Sequence, residues 1–393
     1  MTHYPFPPLT GSSIVAYNSI KHLSKHHSID LICFKPNSHS DHTTNFVNRV
    51  IFIPPGKVSK APSWIHYLPF LLMGISPMPF SIFTLKVMKE AVQETIEDSK
   101  YDAVLLFDIN AIQYCSPSCY NKLIVNIEDP QSIMLNRMMK LPIWSFWQRA
   151  KLFIRAKLAA SFEKKIIPKI AKVLLLSTAD IQDLCKQGGY QNLAQMSYGI
   201  NQIDSTSILN YEDRERTIIY SGSMYHPPNV DGALFLLRDI FPLILLQYPS
   251  AILWIVGADP DNRIYEAAAK LGTQVLIMGK VPNIADYIKR ATVSVCPVRL
   301  KIGVQTKILE ALSWGTPVVT TSAGNSGIGG VSGTHLWVED DPYLYAQRVV
   351  TLLQGHDWQK LSEAGKRLTA ESFCWEDSVA QLEQQFVSLT ANL

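Results

Sequence analysis

The sequence has little net charge, no Cys-x-x-Cys pair and no long uninterrupted apolar stretch. Its formal net charge is only +3, whereas proteins that bind nucleic acid usually present a strongly basic face, so we predict no nucleic-acid partner. None of the six cysteines stands in a Cys-x-x-Cys pair. In a chain of this length, that pattern is typical of reduced thiols rather than of a disulfide framework.

The N-terminal residues are rich in proline and lack the apolar core of a secretory signal peptide. The most apolar segment, 64–83, is interrupted by Pro69, Pro77 and Pro79, which makes it a poor membrane-spanning helix. We therefore expect a cytoplasmic protein without integral membrane segments.

Short β-branched stretches alternate with helical stretches along the chain, which is the pattern of an α/β fold with parallel sheets. The 393 residues are enough for two domains of ordinary size. The predicted strands are 29–34, 50–53, 103–107, 123–126 and 173–176 in the first half, and 217–220, 252–256, 274–278, 292–296, 317–320 and 335–338 in the second.

We predict two Rossmann-like, doubly wound domains that face each other across a cleft, at residues 1–200 and 217–372. A polar linker at 201–216 joins them, and a C-terminal helix at 373–393 is expected to pack back toward the first domain. Open parallel sheets bind their ligands at the carboxyl ends of the strands, so the sites are expected there.

The start of the chain departs from this pattern. Residues 2–13 resemble a loop between a strand and a helix, yet no strand precedes them. Either the fold lacks its first N-terminal strand or the recorded start is late, and the loss of a central parallel strand would be costly.

Gly222, between Ser221 and Ser223, follows the first strand of the second domain and precedes a helix that begins near Pro227. A glycine turn ahead of a helix N-terminus forms an anion site from backbone N–H groups. An ordinary turn between strand and helix explains the same residues, and the sequence leaves both interpretations open.

A second candidate anion site lies between Arg299 and Glu310. Gly303 lets the backbone approach a ligand closely, and the helix that follows carries Lys307 and Glu310. Lys307 supplies a point charge for a diphosphate, and a carboxylate at Glu310 can accept hydrogen bonds from the hydroxyls of a ribose. The alternative is a solvent-facing ion pair at i,i+3, which contributes little to stability.

Residues 303–319, Gly-Val-Gln-Thr-Lys-Ile-Leu-Glu-Ala-Leu-Ser-Trp-Gly-Thr-Pro-Val-Val, closely resemble the donor-binding signature of the family-4 retaining glycosyltransferases, the group 1 enzymes of the GT-B fold. The likeness is greatest to a branch associated with exopolysaccharide synthesis. Further landmarks of the family resemble segments in the expected order, at 4–12, 175–180, 199–201, 220–231, 255–257, 279–284 and 372–376.

The resemblance implies a retaining transfer from a nucleotide-diphosphate sugar to a saccharide or lipid-linked acceptor, without a metal or other cofactor. It makes the first domain the acceptor-binding domain and the second the donor-binding domain. We predict catalytic roles for Lys307 and Glu310 and an acceptor-side role for Gly11 and Ser12. The predicted donor-binding residues are Gly222, Ser223, Val281, Pro282, Arg299, Gly303, Val304, Gln305, Lys307 and Glu310.

Two positions depart from the family pattern. Many members have a second glutamate eight residues before Glu310, where this chain has Ile302. Many also have a basic pair after the entry glycine, where this chain has 223–226, Ser-Met-Tyr-His. Lys307 is therefore expected to be the main cation that neutralises the phosphate charge, with help from Arg299 or Lys301.

Glu128 and Asp129 end a predicted strand of the first domain. They are suited to orient an acceptor hydroxyl, or alternatively to cap the helix that follows Pro130. His3 and Asp108 are weaker candidates of the same kind.

Residues 136–172 carry ten Lys or Arg and one acid, Glu163, with interleaved aromatic residues. A basic amphipathic helix of this kind can lie on an anionic membrane surface, which predicts a peripheral location on the inner face of the cytoplasmic membrane. The alternative is a helix with a solvated basic face and an aromatic core stripe.

We therefore predict a glycosyltransferase of polysaccharide or glycolipid biosynthesis. Ile302 and the missing strand leave room for a non-catalytic nucleotide-sugar sensor or partner subunit. A GT-B sugar-nucleotide epimerase is the third reading, although the acid and base residues that it needs around the sugar are not evident.

Overall fold

The computed structural model describes residues 4–8, 11–36, 45–54, 82–98 and 101–391. His3 and nearly all of the apolar segment 64–83 lie outside these ranges. The chain divides into a first unit of Met1–Asn136, Ala150–Gly199 and Trp375–Leu393 and a second unit of Arg137–Arg149 and Ile200–Cys374. The division differs from the sequence prediction in that residues 137–149 and the predicted linker both belong to the second unit.

The first unit contains two separate parallel sheets. β1 (Asp30–Phe34) pairs with β2 (Arg49–Ile53), and β3 (Val104–Phe107), β4 (Leu123–Ile127), β5 (Lys172–Leu175) and β6 (Leu193–Gln195) follow one another in a four-stranded sheet. The helices of this unit are α1 (Gly11–Leu23), α2 (Ile82–Asp98), most of α3 (Gln131–Met138) and of α4 (Phe146–Ile166), α5 (Thr178–Gly188) and α14 (Trp375–Thr390). The end of α3 and the start of α4 fall in residues 137–149 and so belong to the second unit.

The second unit has one continuous six-stranded parallel sheet in the order β12-β11-β10-β7-β8-β9. Its strands are β7 (Glu215–Ser221), β8 (Ile252–Val256), β9 (Val275–Gly279), β10 (Ala291–Cys296), β11 (Val318–Thr320) and β12 (Trp337–Val338). Its helices are α6 (Pro227–Phe235), α7 (Phe241–Gln247), α8 (Asn262–Ala269), α9 (Ala285–Ile288), α10 (Thr306–Ser313), α11 (Ser322–Asn325), α12 (Pro342–Leu353) and α13 (Trp358–Ser372).

The strands form because their sequences can be buried on both faces. β4 reads Leu-Ile-Val-Asn-Ile and is buried at every position, as is β10. Continuous apolar strands are characteristic of parallel sheets covered by helices on both sides. The predicted α/β class with parallel sheets is therefore confirmed.

The sheet of the first unit is interrupted between β1 and β3. Among the described residues no strand precedes α1. No helix in the described ranges combines the length and the apolar character needed to cross a bilayer.

Candidate functional site

Three glycines line the carboxyl ends of neighbouring strands in the second unit. Gly222, Gly257 and Gly279 follow or end β7, β8 and β9 and have positive φ angles of 142°, 156° and 64°. A Cβ atom on Gly257 would lie 1.6 Å from the Gly222 carbonyl oxygen, and the Gly257 N–H donates to the Gly279 carbonyl at 2.8 Å. We call these three residues the glycine edge: a side chain has no room at Gly257, and the positive φ angles of Gly222 and Gly279 favour glycine.

Lys307 reaches the glycine edge from the first turn of α10. Its Nζ donates to Asn229 Oδ1 at 2.6 Å and lies 4.9 Å from the centre of the Tyr220 ring. A Cβ atom on Gly222 would come within 2.9 Å of this Nζ. The ammonium group is thus held directly beside the backbone of the turn.

Burial changes the acid–base properties of this group and its neighbours. Lys307 is only 9% exposed, and desolvation lowers its pKa while Cys296 and Glu310 act in the opposite direction. His226 is half-buried, and its pKa is lowered first by burial and then by the charge of Lys307. A cation with so little solvent around it interacts strongly with any anion that arrives.

Glu310 lies one turn after Lys307 on α10. Burial raises the pKa of its carboxyl group to about 7, although the charge of Lys307 opposes the shift. The i,i+3 ion pair that the spacing allowed does not form, because Lys307 donates to Asn229 instead. Within the described ranges the Glu310 carboxylate has no hydrogen-bond or ion-pair partner, so it is available to accept from a ligand.

Gly303 forms the turn that leads into α10. Its φ angle is 44°, and its carbonyl oxygen would lie 2.2 Å from a Cβ atom on Gly327. Ile302, the residue that departs from the family pattern, is 8% exposed, and its carbonyl accepts from Gln305 Nε2 at 3.0 Å. Val304 and Gln305 are half-buried at the start of the helix.

Arg299 is held differently from Lys307. Its Nε and Nη2 atoms donate to the two carboxylate oxygens of Asp231 at 2.9 and 2.6 Å. Asp231 is 1% exposed, so the guanidinium group compensates a buried charge. We predicted Arg299 as a phosphate ligand, but in this arrangement its charge is already paired.

The remaining predicted donor residues lie at the same carboxyl edge. Ser223 is exposed beside Gly222, and its carbonyl accepts from Asn229 Nδ2 at 3.0 Å. Val281 is half-buried and Pro282 exposed, directly after β9. β9 is two strands away from β7 in the sheet, so these residues lie at the far end of the glycine edge from Lys307.

Two residues of this site were not predicted from the sequence. Asn229 links the Ser223 carbonyl to Lys307 Nζ, and Gly257 supports the turn at Gly222. The signal for Gly257 was present, because a glycine directly after an apolar strand usually marks a close approach of backbones. Nothing in the spacing between Asn229 and Lys307 indicated their contact.

The predicted acceptor-side residues meet in the first unit. Ser12 Oγ, in the first turn of α1, donates to Glu128 Oε2 at 2.9 Å, and Gly11 is exposed at the start of that helix. Glu128 and Asp129 directly follow β4. Burial raises the pKa of Glu128, the Ser12 hydrogen bond lowers it, and the nearby charge of Asp108 raises it further.

The basic aromatic stretch forms α4 and exposes large apolar side chains. Phe146, Trp147, Phe153 and Ile154 are 76%, 74%, 51% and 56% exposed. Glu163, the only acid of the stretch, is buried and accepts from the Ser132 N–H at 3.1 Å. The exposed surface of α4 therefore carries cations and aromatic rings but no compensating acid.

No group of three or more potential metal ligands from His, Cys, Asp and Glu occurs in the part of the chain that the structure describes.

Several solved structures share the architecture of this chain. It is similar to sucrose-phosphate synthase from Thermosynechococcus elongatus, with a TM-score of 0.73 and 16% identity over 98% of this chain and 94% of that one. It is also similar to Anabaena HepE, solved with UDP and glucose, with a TM-score of 0.66 and 12% identity over 96% of each chain. S. aureus TarM matches with a TM-score of 0.61 and 12% identity over 77% of this chain and 59% of TarM. The chain has the GT-B fold.

The family match lies in the second unit. Residues 215–355 match the family model described as glycosyl transferases group 1. An uncharacterized 44.6 kDa protein in the cps region of Klebsiella pneumoniae is 23% identical over 140 residues, or 34% of this chain and 36% of that protein. The matched part thus spans about a third of that relative.

Proposed function

We propose that this protein transfers a sugar from a nucleotide-diphosphate donor to a saccharide or lipid-linked acceptor, with retention of configuration and without a metal ion. The observation that carries the proposal is the buried Lys307 ammonium, held by Asn229 against the backbone of the Gly222 turn. The group 1 match at residues 215–355 supports sugar transfer as the reaction.

In the proposed reaction the bond between the anomeric carbon and the diphosphate oxygen breaks, and charge develops on the leaving diphosphate. Lys307 and the first-turn N–H groups of α10 stabilise that charge electrostatically. The acceptor hydroxyl attacks from the same face, and its proton passes to an oxygen of the leaving phosphate. Glu310 accepts hydrogen bonds from the ribose hydroxyls and fixes the position of the donor.

Nucleotide-sugar binding is the first test. We expect one class among UDP-, GDP-, ADP- and dTDP-sugars to raise the melting temperature by about 5 °C or more near saturation, because a ligand that binds only the folded state stabilises it by mass action. If none of the four classes produces a shift, the donor site is not a nucleotide-sugar site.

Turnover separates the transferase from a sensor or partner subunit. A labelled donor should yield free nucleoside diphosphate and a glycosylated or hydrolysed sugar with the anomeric configuration of the donor, and EDTA should not change the rate. Binding without turnover would favour the sensor. Release of an isomerised nucleotide sugar would favour the epimerase.

We further propose a polysaccharide or glycolipid pathway for this activity. The relative from a cps region supports a surface polysaccharide. Ser12 and Glu128 form the acceptor side in this proposal, because a carboxylate at the end of β4 can orient an acceptor hydroxyl.

We also propose a membrane location, on the basis of α4. Phe146, Trp147, Phe153 and Ile154 recur at about two helical turns, so they share one face. The neighbouring cations are Arg149, Lys151, Arg155 and Lys157. Aromatic side chains at headgroup depth and cations near anionic lipids together favour docking on a membrane surface.

Vesicle binding tests this location. Phe146→Ser with Trp147→Ser should weaken binding to anionic vesicles by about tenfold or more, since both rings leave the lipid interface. Leu246→Ser is the matched control, because Leu246 is 80% exposed on another helix. An equal loss in the control, or no binding of the wild type at low salt, would remove the membrane from the proposal.

A further inference from the structure

The turn between β7 and α6, residues 222–226, lies directly beside the Lys307 ammonium group. Asn229 connects the two, because its Nδ2 donates to the Ser223 carbonyl at 3.0 Å and its Oδ1 accepts from Lys307 Nζ at 2.6 Å. A diphosphate bound by Lys307 therefore also meets the residues of this turn.

The backbone of the turn has few hydrogen-bond donors to offer a phosphate. The N–H groups of Gly222, Met224 and His226 already donate to other backbone carbonyls, at distances from 2.9 to 3.1 Å. These three groups are therefore directed at the protein and not at a ligand.

The N-terminus of α6 does not supply the missing donors. Its first two residues, Pro227 and Pro228, have no N–H group. The N–H groups of the next two, Asn229 and Val230, donate to the His226 carbonyl at 2.9 and 3.0 Å. A helix N-terminus binds phosphate through unpaired N–H groups, and here these groups are absent or already bonded. The anion site that the glycine turn predicts thus needs a donor from a side chain.

His226 is the side chain of the turn that is placed to be this donor. Met224 is fully buried in the core of the second unit, whereas Tyr225 is 63% exposed and Ser223 is exposed as well. The His226 ring is half-buried and makes no capping hydrogen bond with α6. Within the described ranges the ring has no hydrogen-bond partner, so its N–H group is available to a ligand.

The surroundings of the ring favour an uncharged imidazole. Burial lowers the pKa of His226 from its ordinary 6.5, and the charge of Lys307 lowers it further. On α6, α10 and the loops that follow β8 and β10, the other charged groups are the ion pairs Arg299–Asp231 and Arg263–Asp261, Lys301, Asp259 and Glu310. Since a ring with a pKa below 6.5 is mostly neutral at pH 7, His226 meets a ligand as a neutral donor.

We infer that His226 is a further ligand of the donor diphosphate, to which its neutral imidazole donates a hydrogen bond. This role rests on the proposed donor site. Lys307 supplies the positive charge there, and His226 supplies a directional contact at the place where many family members have a basic pair. Because the imidazole stays uncharged near neutral pH, the pH dependence of donor binding belongs to Glu310.

Binding of the nucleotide sugar that gives the largest thermal shift tests this role. His226→Leu removes the ring N–H, and we expect the dissociation constant to rise by about tenfold or more, because a hydrogen bond to a charged group is lost. His226→Gln carries an amide N–H at a similar distance along the side chain, so its dissociation constant should stay within about threefold of the wild type. His356→Leu is the matched control, since His356 is an exposed histidine of the same unit.

Nitrogen NMR of the wild type, labelled at its imidazole nitrogens, reports the charge of the ring and depends on no destabilised variant. The two nitrogens of a neutral imidazole resonate far apart, whereas those of the cation resonate close together. The His226 signals are assigned by their absence in His226→Gln. On addition of the nucleotide sugar at pH 7 they should shift and remain those of a neutral ring.

The role of His226 is overturned if His226→Leu binds the nucleotide sugar as tightly as the wild type, or if His226→Gln loses as much affinity as His226→Leu. It is also overturned if the ring signals do not shift or become those of the cation. In each of these cases the wild type still binds a nucleotide sugar, so the proposed function stands. Absence of binding to the wild type would instead remove both.

Discussion

The two units differ in the continuity of their parallel sheets. The second unit has one continuous sheet of six parallel strands, and at its glycine edge a Cβ atom added to Gly257 would overlap the Gly222 carbonyl. The first unit has sheets of two and four strands around a cavity of about 780 Å³. The proposed donor side therefore lies on a continuous sheet, whereas the proposed acceptor side lies on an interrupted one.

If the donor side is organised in this way, removal of its cation should have the largest effect. Lys307→Ala should cost at least ~2 kcal/mol of transition-state stabilisation, because the leaving diphosphate loses a positioned charge. The measurement is kcat/KM with the donor identified by thermal shift. Turnover equal to that of the wild type would remove Lys307 from the mechanism.

Two variants sharpen this result. Lys270→Ala is the control, since Lys270 is an exposed lysine of the same unit. Asn229→Asp keeps a partner for Lys307 but places a negative charge beside it, so donor binding should weaken even though the lysine stays charged. Tighter donor binding in Asn229→Asp would contradict the proposed role of the cation.

Replacement of Arg299, unlike that of Lys307, should lower the stability of the folded protein rather than the rate of sugar transfer. Arg299→Ala leaves the buried Asp231 carboxylate without its two hydrogen bonds, and we expect a loss of about 2 kcal/mol in the free energy of unfolding. Urea denaturation measures this, and Arg299→Ala with Asp231→Ala should recover part of the loss. If Arg299→Ala is as stable as the wild type but has a much higher donor KM, Arg299 is a phosphate ligand, as the sequence predicted.

The sequence predicted the elements well because their signals are local. β8 has the predicted bounds, residues 252–256, and the turn at Gly222 follows its strand as expected. Contacts between distant residues were not predictable. The pairs Lys307–Asn229 and Arg299–Asp231 join residues 78 and 68 positions apart, so no local pattern could indicate them.

The same limitation applies to the first unit. Its β-branched stretches predicted β1 to β5, but the short strand β6 was missed. The transfer of residues 137–149 to the second unit depends on contacts such as Arg263 Nη1 donating to the Ile143 carbonyl at 3.3 Å. No local pattern encodes that contact.

Glu310 predicts a pH dependence of the donor side. Its pKa rises from an ordinary 4.5 to about 7 in the folded protein, because the folded state disfavours the ionised carboxylate. The contribution of Glu310 to the free energy of unfolding is therefore greatest below pH 4.5 and is lost as the pH rises from 4.5 to about 7. Donor affinity should change in the opposite direction and increase with pH, because it is the ionised carboxylate that accepts hydrogen bonds from the ribose hydroxyls. We expect nucleotide-sugar affinity to increase by about tenfold between pH 6 and pH 8.

A nucleotide sugar is the right probe, because its diphosphate is esterified at both ends and does not titrate in this range. Glu310→Gln should abolish the increase in affinity while retaining the side chain's size. An increase that persists in Glu310→Gln would assign the pH dependence to another group, of which Lys307 and His226 are the nearest.

The smallest effect is expected on the acceptor side, where the sheet is interrupted. Glu128→Gln keeps the shape of the side chain and a partner for Ser12 but removes the charge, so acceptor KM should rise by about threefold to tenfold. The dissociation constant of the donor should not change, because Glu128 belongs to the other unit. Ser12→Ala is the companion variant, since it removes the hydrogen bond and leaves the carboxylate. A change in donor affinity with either variant would contradict the separation of roles between the two units.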